Sequence, residues 1–276
     1  MKLNYTYYFG LAALVLSCTN QPETAPGPEF HASVEVVTKT YVDDQFRQHW
    51  NAGDEICIFN GSTDPLRYAF QGADGDMSGL FRQSGEAGAQ GGTLDCTYAV
   101  SPYSAAVGAN ADGTLRVRFP EKQDHIEGQA ASGACLLAAK TSDNNLYFRN
   151  LGGLLVVRLY GSDVSVSKLV LKGNNGECLA GTASVSFDGD IPAVTMLESG
   201  ASGEIELSCP SPVPLGATEG EAAGFCFALP PTEFSKGFTV VATDASGNSF
   251  EAGSAKALSV KRSGASRMAP LAATMS

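Results

Sequence analysis

The sequence predicts an all-β protein, and two observations support this fold class. The chain of 276 residues contains 31 glycines and 13 prolines, which interrupt helices. Short runs of Val, Leu, Ile, Phe and Tyr recur between these turn residues, which is the spacing of strands in β-sandwiches and barrels. The length that remains after a predicted leader is enough for two ordinary domains, so we expect two β domains.

The first 17 residues read as the signal peptide of a bacterial lipoprotein. Lys2 precedes an apolar core that runs from Tyr7 to Leu16, and the small residue Ser17 stands directly before Cys18. The apolar run is shorter than the ~20 residues that a membrane-spanning helix needs. We therefore expect the leader to be removed, Cys18 to be acylated, and the mature protein to be anchored to a membrane by lipid chains.

A tether and a first strand follow the leader. Residues 18–29 contain three prolines and no apolar periodicity, so they predict a tether without a packed element. Apolar residues then alternate at Phe30, Ala32, Val34 and Val36. This period of two predicts a strand with one buried face.

Further strands are predicted in two series. The first series includes residues 56–59, 97–100 and 115–119, and the second includes residues 164–171, 178–187, 204–209, 225–229, 238–242 and 249–252. The apolar stretch over residues 146–160 predicts two strand segments that bend at Gly152 and Gly153. A polar cluster at residues 142–145 precedes it and predicts a boundary. The two domains would cover residues 30–143 and 144–276.

Charge and cysteine spacing exclude some classes of function. The net charge of −11 and the pI near 4.7 argue against a nucleic-acid partner. Six cysteines follow Cys18, and none of them has the C-x-x-C spacing of a metal site. Most lie in apolar stretches, which favours free buried thiols. One or two disulfides stay open as an alternative for an extracytoplasmic protein.

Enzymatic motifs are absent from the sequence. His31, His49 and His125 have no partner at a catalytic or metal-binding spacing, and we expect them at the surface. Neither G-x-S-x-G nor H-E-x-x-H occurs. We therefore expect no enzyme, no catalytic residue and no cofactor, although two carboxylates distant in sequence could still form a glycosidase pair.

One loop resembles part of a calcium site. Asp74, Asp76 and Ser78 supply oxygen ligands at alternate positions, but the twelfth position is Gly85 instead of glutamate. A glycine-rich turn, in which the aspartates accept backbone hydrogen bonds, is the favoured interpretation.

Trp50 and Asp54 stand at the entry to the predicted strand 56–59. A single Trp at such a position is a core anchor with a bonded indole N–H, or else a platform on which a sugar stacks. The core is favoured. Asp54 follows Gly53 and is predicted to accept backbone N–H groups and so to stabilise the turn.

A series of short motifs extends over residues 30–190. They are W-x-x-G-D-x-I at residues 50–56, Y-A-x-x-P-Y at residues 98–103, P-x-x-Q at residues 120–123, F-x-N-x-x-G-L-L at residues 148–155, and L-x-L-x-G-N followed by L-A-G within residues 166–181. Their order and spacing resemble those of the fimbrillin-like proteins, which are type V pilus subunits and related surface lipoproteins of anaerobic Gram-negative bacteria.

This resemblance implies two tandem transthyretin-like β-sandwiches and export to the outer membrane as a lipoprotein. It also implies a structural or adhesive subunit that joins other pilin subunits, or copies of itself, by donor-strand exchange. In that process a protease removes the first strand and a neighbour's strand replaces it. Family processing follows a basic residue, and the candidates here are Lys39 and Arg47. The alternative is a surface lipoprotein that binds a glycan or a host protein and never polymerises.

The lipid anchor is testable by metabolic labelling with a fatty acid. Because acylation requires the thiol of Cys18, the wild-type protein should be labelled and the Cys18→Ala variant should not. Equal labelling of the two proteins would contradict the anchor.

Overall fold

The structure is a computed structural model that describes residues 27–35, 49–85 and 91–273. These residues form 22 strands and two short 3-10 helices, Tyr103–Ala105 and Glu219–Glu221, so the predicted all-β class is confirmed. No helix among them has the length and apolar character that a membrane span requires.

The strands in chain order are β1 (Phe30–Val34), β2 (Glu55–Ser62), β3 (Leu66–Phe70), β4 (Ser78–Gln83), β5 (Thr93–Ser101), β6 (Ala106–Ala109), β7 (Leu115–Phe119), β8 (Lys122–Asp124), β9 (Leu137–Thr141), β10 (Asn145–Asn150), β11 (Gly153–Tyr160), β12 (Ser165–Gly173), β13 (Gly181–Asp188), β14 (Ile191–Met196), β15 (Glu204–Pro214), β16 (Ala223–Leu229), β17 (Thr232–Phe234), β18 (Phe238–Asp244), β19 (Ser249–Ser254), β20 (Leu258–Val260), β21 (Ala265–Arg267) and β22 (Leu271–Ala272).

The first unit is built from a sheet that closes on itself. Its seven strands follow the order β1-β10-β9-β5-β2-β3-β4, and β1 pairs with both β10 and β4. The side chains that point inward form an aromatic core, which contains Phe30, Trp50, Phe70, Phe81 and Phe148. We call this unit the barrel.

A four-stranded sheet, β14-β13-β7-β6, packs against the outside of the barrel. Leu115 and Val117 of β7 point into the second core and lie there with Phe59 of β2 and Val100 of β5. The burial along β7 alternates strictly, as the sequence predicted for residues 115–119. One face of this sheet and the outer face of the barrel therefore share one apolar core.

The second unit is a sandwich of two sheets. One sheet has the order β19-β18-β12-β15-β8, and the other has the order β16-β11-β21 with β22 also paired to β11. Their inner faces enclose one core, to which β11, β12, β16 and β18 contribute Leu155, Leu169, Phe227 and Val240. Antiparallel pairs dominate, but β21 and β22 lie parallel to β11.

Strand pairing crosses the predicted boundary between residues 143 and 144. β10 lies beyond that point but belongs to the barrel, and β13 pairs with β7. In the opposite direction, β8 pairs with β15 of the sandwich. The two units are therefore interleaved along the chain, and the division into domains at residue 143 stays a prediction.

The predicted bend at the glycine pair is present. β10 ends at Asn150, β11 begins at Gly153, and the chain passes there from the barrel to the sandwich. A Cβ atom on Gly152 would lie 2.4 Å from the carbonyl oxygen of Leu229, and one on Gly153 would lie 2.2 Å from that of Lys261. Only glycine allows these close approaches of backbone to backbone.

Gln123, the last residue of the P-x-x-Q motif, connects the two sheets of the sandwich. Its backbone pairs with Leu207 of β15, while its side chain crosses to β16 on the other sheet. There the side-chain Nε2 donates to the carbonyl oxygen of Ala228 over 2.6 Å, and the Ala228 N–H donates to Oε1 over 3.0 Å. The buried amide thus pairs with β16 as a strand residue would.

Replacement of Gln123 tests this role. Gln123→Ala would leave two buried backbone groups of Ala228 unpaired, at a cost of about 1–3 kcal/mol for each group. We expect the free energy of unfolding, measured in urea, to fall by about 2–6 kcal/mol in total. The matched control is Gln71→Ala at an exposed glutamine, which should change it by less than about 0.5 kcal/mol. Similar losses in the two variants would contradict this role.

Candidate functional site

The candidate site is the place where β1 closes the barrel. β1 lies antiparallel to β4, with Phe30 opposite Phe81, and parallel to β10, with Val34 opposite Phe148. This strand of five residues therefore satisfies the backbone hydrogen bonds of two neighbours at once. We call β1 the closing strand.

The side chains of the closing strand alternate as predicted. Phe30, Ala32 and Val34 point into the barrel core with exposed fractions of 1%, 2% and 7%. The Phe30 ring meets the edge of the Tyr68 ring with centroids 5.3 Å apart. Burial of a Phe or Val side chain contributes about 1.5–3 kcal/mol, so the strand is held mainly by its apolar face. Val36, the last residue of the predicted alternation, lies outside the described residues.

Glu35 continues the chain directly after the closing strand and is held by two arginines. Arg262 donates from Nη1 to Oε2 over 2.6 Å and from Nη2 to Oε1 over 3.3 Å, so the contact is bidentate. Arg149 lies 3.5 Å from Oε1, and the backbone N–H of Asn150 donates to Oε2 over 3.1 Å. The Glu35 side chain is only 12% exposed.

These contacts determine the ionisation of Glu35. Burial on its own raises the pKa of this carboxyl, but the hydrogen bonds from Arg262 and Asn150 and the charges of Arg262 and Arg149 outweigh it. The net effect is a pKa below the usual value for glutamate. Glu35 is therefore charged at neutral pH, in a largely buried site where Arg262 and Arg149 supply the opposite charges.

Arg262 belongs to the C-terminal segment, which we define as residues 257–273. Within this segment β20 pairs with β17, and both β21 and β22 pair with β11. The N–H of Met268 donates to the carbonyl oxygen of Val156, and that of Ala273 donates to Tyr160. The C-terminal segment is thus the edge of the sandwich sheet in its own chain.

The turn that contains Arg262 is fastened to the end of β10. The N–H of Ser263 donates to the carbonyl oxygen of Gly152, and Asn150 Nδ2 donates to Ser263 Oγ over 3.1 Å. Arg262 Nη1 also donates to the carbonyl oxygen of Asn150 over 3.2 Å. Ser263 has a φ of +56°, a conformation that non-glycine residues seldom adopt. Several polar contacts therefore converge on one short junction.

A cleft of about 630 Å³ lies beside this junction, between the barrel and the sandwich. Its lining includes Trp50, Leu154 and Ser263 as well as two carboxylates, Asp54 and Glu55. Asp54 Oδ2 accepts from the backbone N–H of Asn51 over 2.8 Å, and Glu55 pairs with Arg67 over 3.1 Å. Both carboxylates are thus engaged with other groups of the protein.

Several predicted site residues lie outside the described residues. These are Cys18, Lys39 and Arg47, so lipidation and processing stay predictions.

The loop with the partial calcium pattern is described. Asp74 Oδ1 accepts from the N–H of Ala52 and Asp76 Oδ2 from that of Ala73, over 2.8 and 2.9 Å. Ser78 begins β4 and pairs with Ser33 of the closing strand. In the described part of the chain no three His, Cys, Asp or Glu side chains are grouped as metal ligands. The two carboxylates here serve turn geometry.

Trp50 and Asp54 also occupy the predicted places. Trp50 is 3% exposed and packs its ring against Phe81 and Phe148, with centroids 5.0 and 5.5 Å apart. The core interpretation is therefore confirmed, but the expected hydrogen bond is wrong, since the buried indole Nε1 contacts no protein acceptor. Asp54 caps the turn through Asn51, as predicted.

The histidines and cysteines lie as the sequence predicts, except that His125 is not fully at the surface. His31 and His49 are exposed, but His125 is half-buried with its ring 5.1 Å from that of Phe225. Burial lowers the pKa of His125. Free thiols are found, as predicted, at Cys57, Cys96, Cys178, Cys209 and Cys226.

Sequence reasoning missed Glu35 and Arg262. Glu35 lies on the outer face of the predicted strand, between Val34 and Val36, and 227 positions separate it from Arg262. No local pattern connects the two. The only available signal was a charged residue on the outer face of a predicted strand, and such residues are common on half-exposed strands.

No family model and no curated protein matches the chain. Several solved structures are similar. One is a Bacteroides ovatus protein described as a cell adhesion protein, with a TM-score of 0.47 and 15% identity over 85% of this chain and 89% of that chain. A fimbrial protein of the same species has a TM-score of 0.37 and 12% identity over 89% of this chain and 50% of that one. The tip fimbrial protein Mfa3 of Porphyromonas gingivalis, truncated at its C-terminus, has a TM-score of 0.34 and 10% identity over 82% and 81%.

The turn at Asp54 gives a prediction of stability. Asp54→Ala removes the acceptor of the Asn51 N–H and should lower the free energy of unfolding by about 1–2 kcal/mol. Asp54→Asn keeps a side-chain oxygen and should lose less. Thermal unfolding of the three proteins measures the difference. An unchanged melting temperature in Asp54→Ala, together with lost binding of a surface ligand, would make Asp54 a recognition residue.

Proposed function

We propose that this protein is a subunit of a fimbria-like assembly on the cell surface, with a structural or adhesive role and no catalytic centre. It is attached to the outer membrane through lipid on Cys18, and it joins other subunits or copies of itself by donor-strand exchange. One observation carries the proposal: a short strand near the N-terminus closes the barrel between β4 and β10.

Loss of the closing strand would expose a groove of suitable chemistry. The facing edges of β4 and β10 would lose their partners, and the ring of Tyr68 and the aromatic side chains of Phe81 and Phe148 would lose the contacts of Phe30 and Val34. An open edge beside an apolar groove binds another extended strand by main-chain hydrogen bonds, with alternate side chains in pockets.

The proposed cleavage sites suit this mechanism. Lys39 and Arg47 both follow the closing strand in the chain, and both precede β2, which begins at Glu55. A cut at either residue separates the closing strand, together with the tether and the lipid on Cys18, from the rest of the barrel. From that moment only non-covalent contacts retain the strand.

The donor would be the C-terminal segment of another copy. Within one chain this segment already pairs with β11 and β17, so a donor must first leave its own sandwich. Its apolar residues include Leu258, Val260 and Leu271, which supply side chains for an apolar groove. Partners other than subunits would be ligands on host or bacterial surfaces, and the net charge of −11 disfavours nucleic acid.

A second function is favoured by the same pairing. The C-terminal segment is paired in its own chain, so the edge of β11 in the described residues needs no strand from another copy, and the cleft of about 630 Å³ offers a binding site. A lipoprotein that binds a glycan or a host protein without polymerising therefore stands as the alternative.

Limited digestion distinguishes the two functions. Trypsin under native conditions should cut after Lys39 or Arg47 and convert the monomer into a ladder of oligomers that resists mild detergent. A synthetic peptide that covers residues 257–271 should occupy the groove and suppress the ladder. Gel electrophoresis without boiling and size-exclusion chromatography measure both effects.

The matched control replaces both basic residues. A Lys39→Gln, Arg47→Gln double variant should stay monomeric after the same treatment. If the cut wild-type protein stays a stable monomer and binds no peptide, donor-strand exchange is wrong and the adhesin that does not polymerise is the better description.

A further inference from the structure

We propose that Glu35 couples the closing strand to the C-terminal segment, so that departure of one loosens the other. The proposal deepens the proposed function, on which it rests for its purpose, since it links the opening of an acceptor groove to the release of a donor strand. The coupling itself is a property of the intact chain and is measurable without cleavage or assembly.

Glu35 directly follows the closing strand and is attached to it through the backbone. Its N–H donates to the carbonyl oxygen of Phe148 on β10 over 2.8 Å, which extends the ladder of β1 by one residue. If the closing strand leaves, Glu35 leaves with it, because both proposed cuts lie after Glu35 in the chain.

Arg262 depends on Glu35 for most of its polar contacts. Its guanidinium makes two hydrogen bonds to this carboxylate and one to the carbonyl oxygen of Asn150, and its side chain is 25% exposed. Removal of one partner of such an ion pair leaves the other charge poorly solvated, which is strongly destabilising for the element that carries it.

Arg262 occupies the turn inside the C-terminal segment that connects β20 to β21 and β22. After Gly264 only three residues of β21 and two of β22 pair with β11. Such short ladders open easily when their anchor is lost. The Ser263 backbone has a positive φ and needs its surroundings to hold it.

Arg149 is less dependent on Glu35 than Arg262 is. It contacts Glu35 and also the carboxylate of Asp190, the residue directly before β14, so it keeps a partner when Glu35 departs. Arg262 has no second carboxylate among the ion pairs of the described residues. The cost of losing Glu35 therefore falls on the C-terminal turn more than on β10.

Hydrogen exchange on the intact, uncut protein tests the coupling. Glu35→Gln keeps the size of the side chain and removes its charge. The amides of Met268 and Ala273, which donate to β11, should exchange about tenfold faster or more, while amides of β2 and β5 keep the wild-type rate. The control is Glu55→Gln, which removes an exposed ion pair with Arg67 and should leave those two amides unchanged.

The reciprocal variant is Arg262→Lys, which keeps the positive charge and loses the bidentate hydrogen bond to Glu35. Because coupling acts equally in both directions, the amides of His31 and Glu35 should now exchange faster by a similar factor. The double variant Glu35→Gln, Arg262→Lys should add little to either single variant.

Three results would overturn the proposal. They are wild-type exchange at Met268 and Ala273 in Glu35→Gln, unchanged exchange of the closing strand in Arg262→Lys, and uniform acceleration over the whole chain, which would mean general destabilisation. None of them depends on the ladder assay. If the exchange test fails while ladders still form, only the proposed coupling is wrong. If the exchange test succeeds but no ladder forms, only the proposed polymerisation is wrong.

Discussion

The insertion of one short strand between two edges determines the state of the first unit. While β1 is paired to β4 and β10, the sheet has no open edge at this point and the aromatic core is covered. Native domains are stable by only about 5–15 kcal/mol, and the apolar side chains of β1 contribute a sizeable part of such a margin. Loss of this closure would leave the facing edges of β4 and β10 unpaired and the aromatic core uncovered.

Much of the local structure was predictable because its causes are local. The alternation in β7, the bend at Gly152 and Gly153 and the capped turn at Asp54 each depend on residues that are close in sequence. The all-β class followed from the same short-range signals. The core position of Trp50 was also predictable, but its unpaired indole was not, since acceptors come from the packing of distant strands.

The features that connect the two units were not predictable from local patterns. Gln123 pairs with Ala228, and the sequence offered only a turn motif at the first of these residues. β13 returns to pair with β7, and β8 leaves to pair with β15. Hydrophobic periodicity states which face of a strand is buried and says nothing about its neighbour. The interleaving of the two units and the contact between Glu35 and Arg262 share this origin.

The ion pairs of Glu35 are better understood as a constraint on register than as a source of stability. A buried charge pair often contributes little net stability, because desolvation offsets the attraction. A slip of β1 by one residue would turn Phe30, Ala32 and Val34 out of the core. The same slip would move the Glu35 carboxylate away from the guanidinium group of Arg262. Apolar alternation and charge pairing thus favour one and the same register, which leaves a five-residue strand with a single well-defined position between its two neighbours.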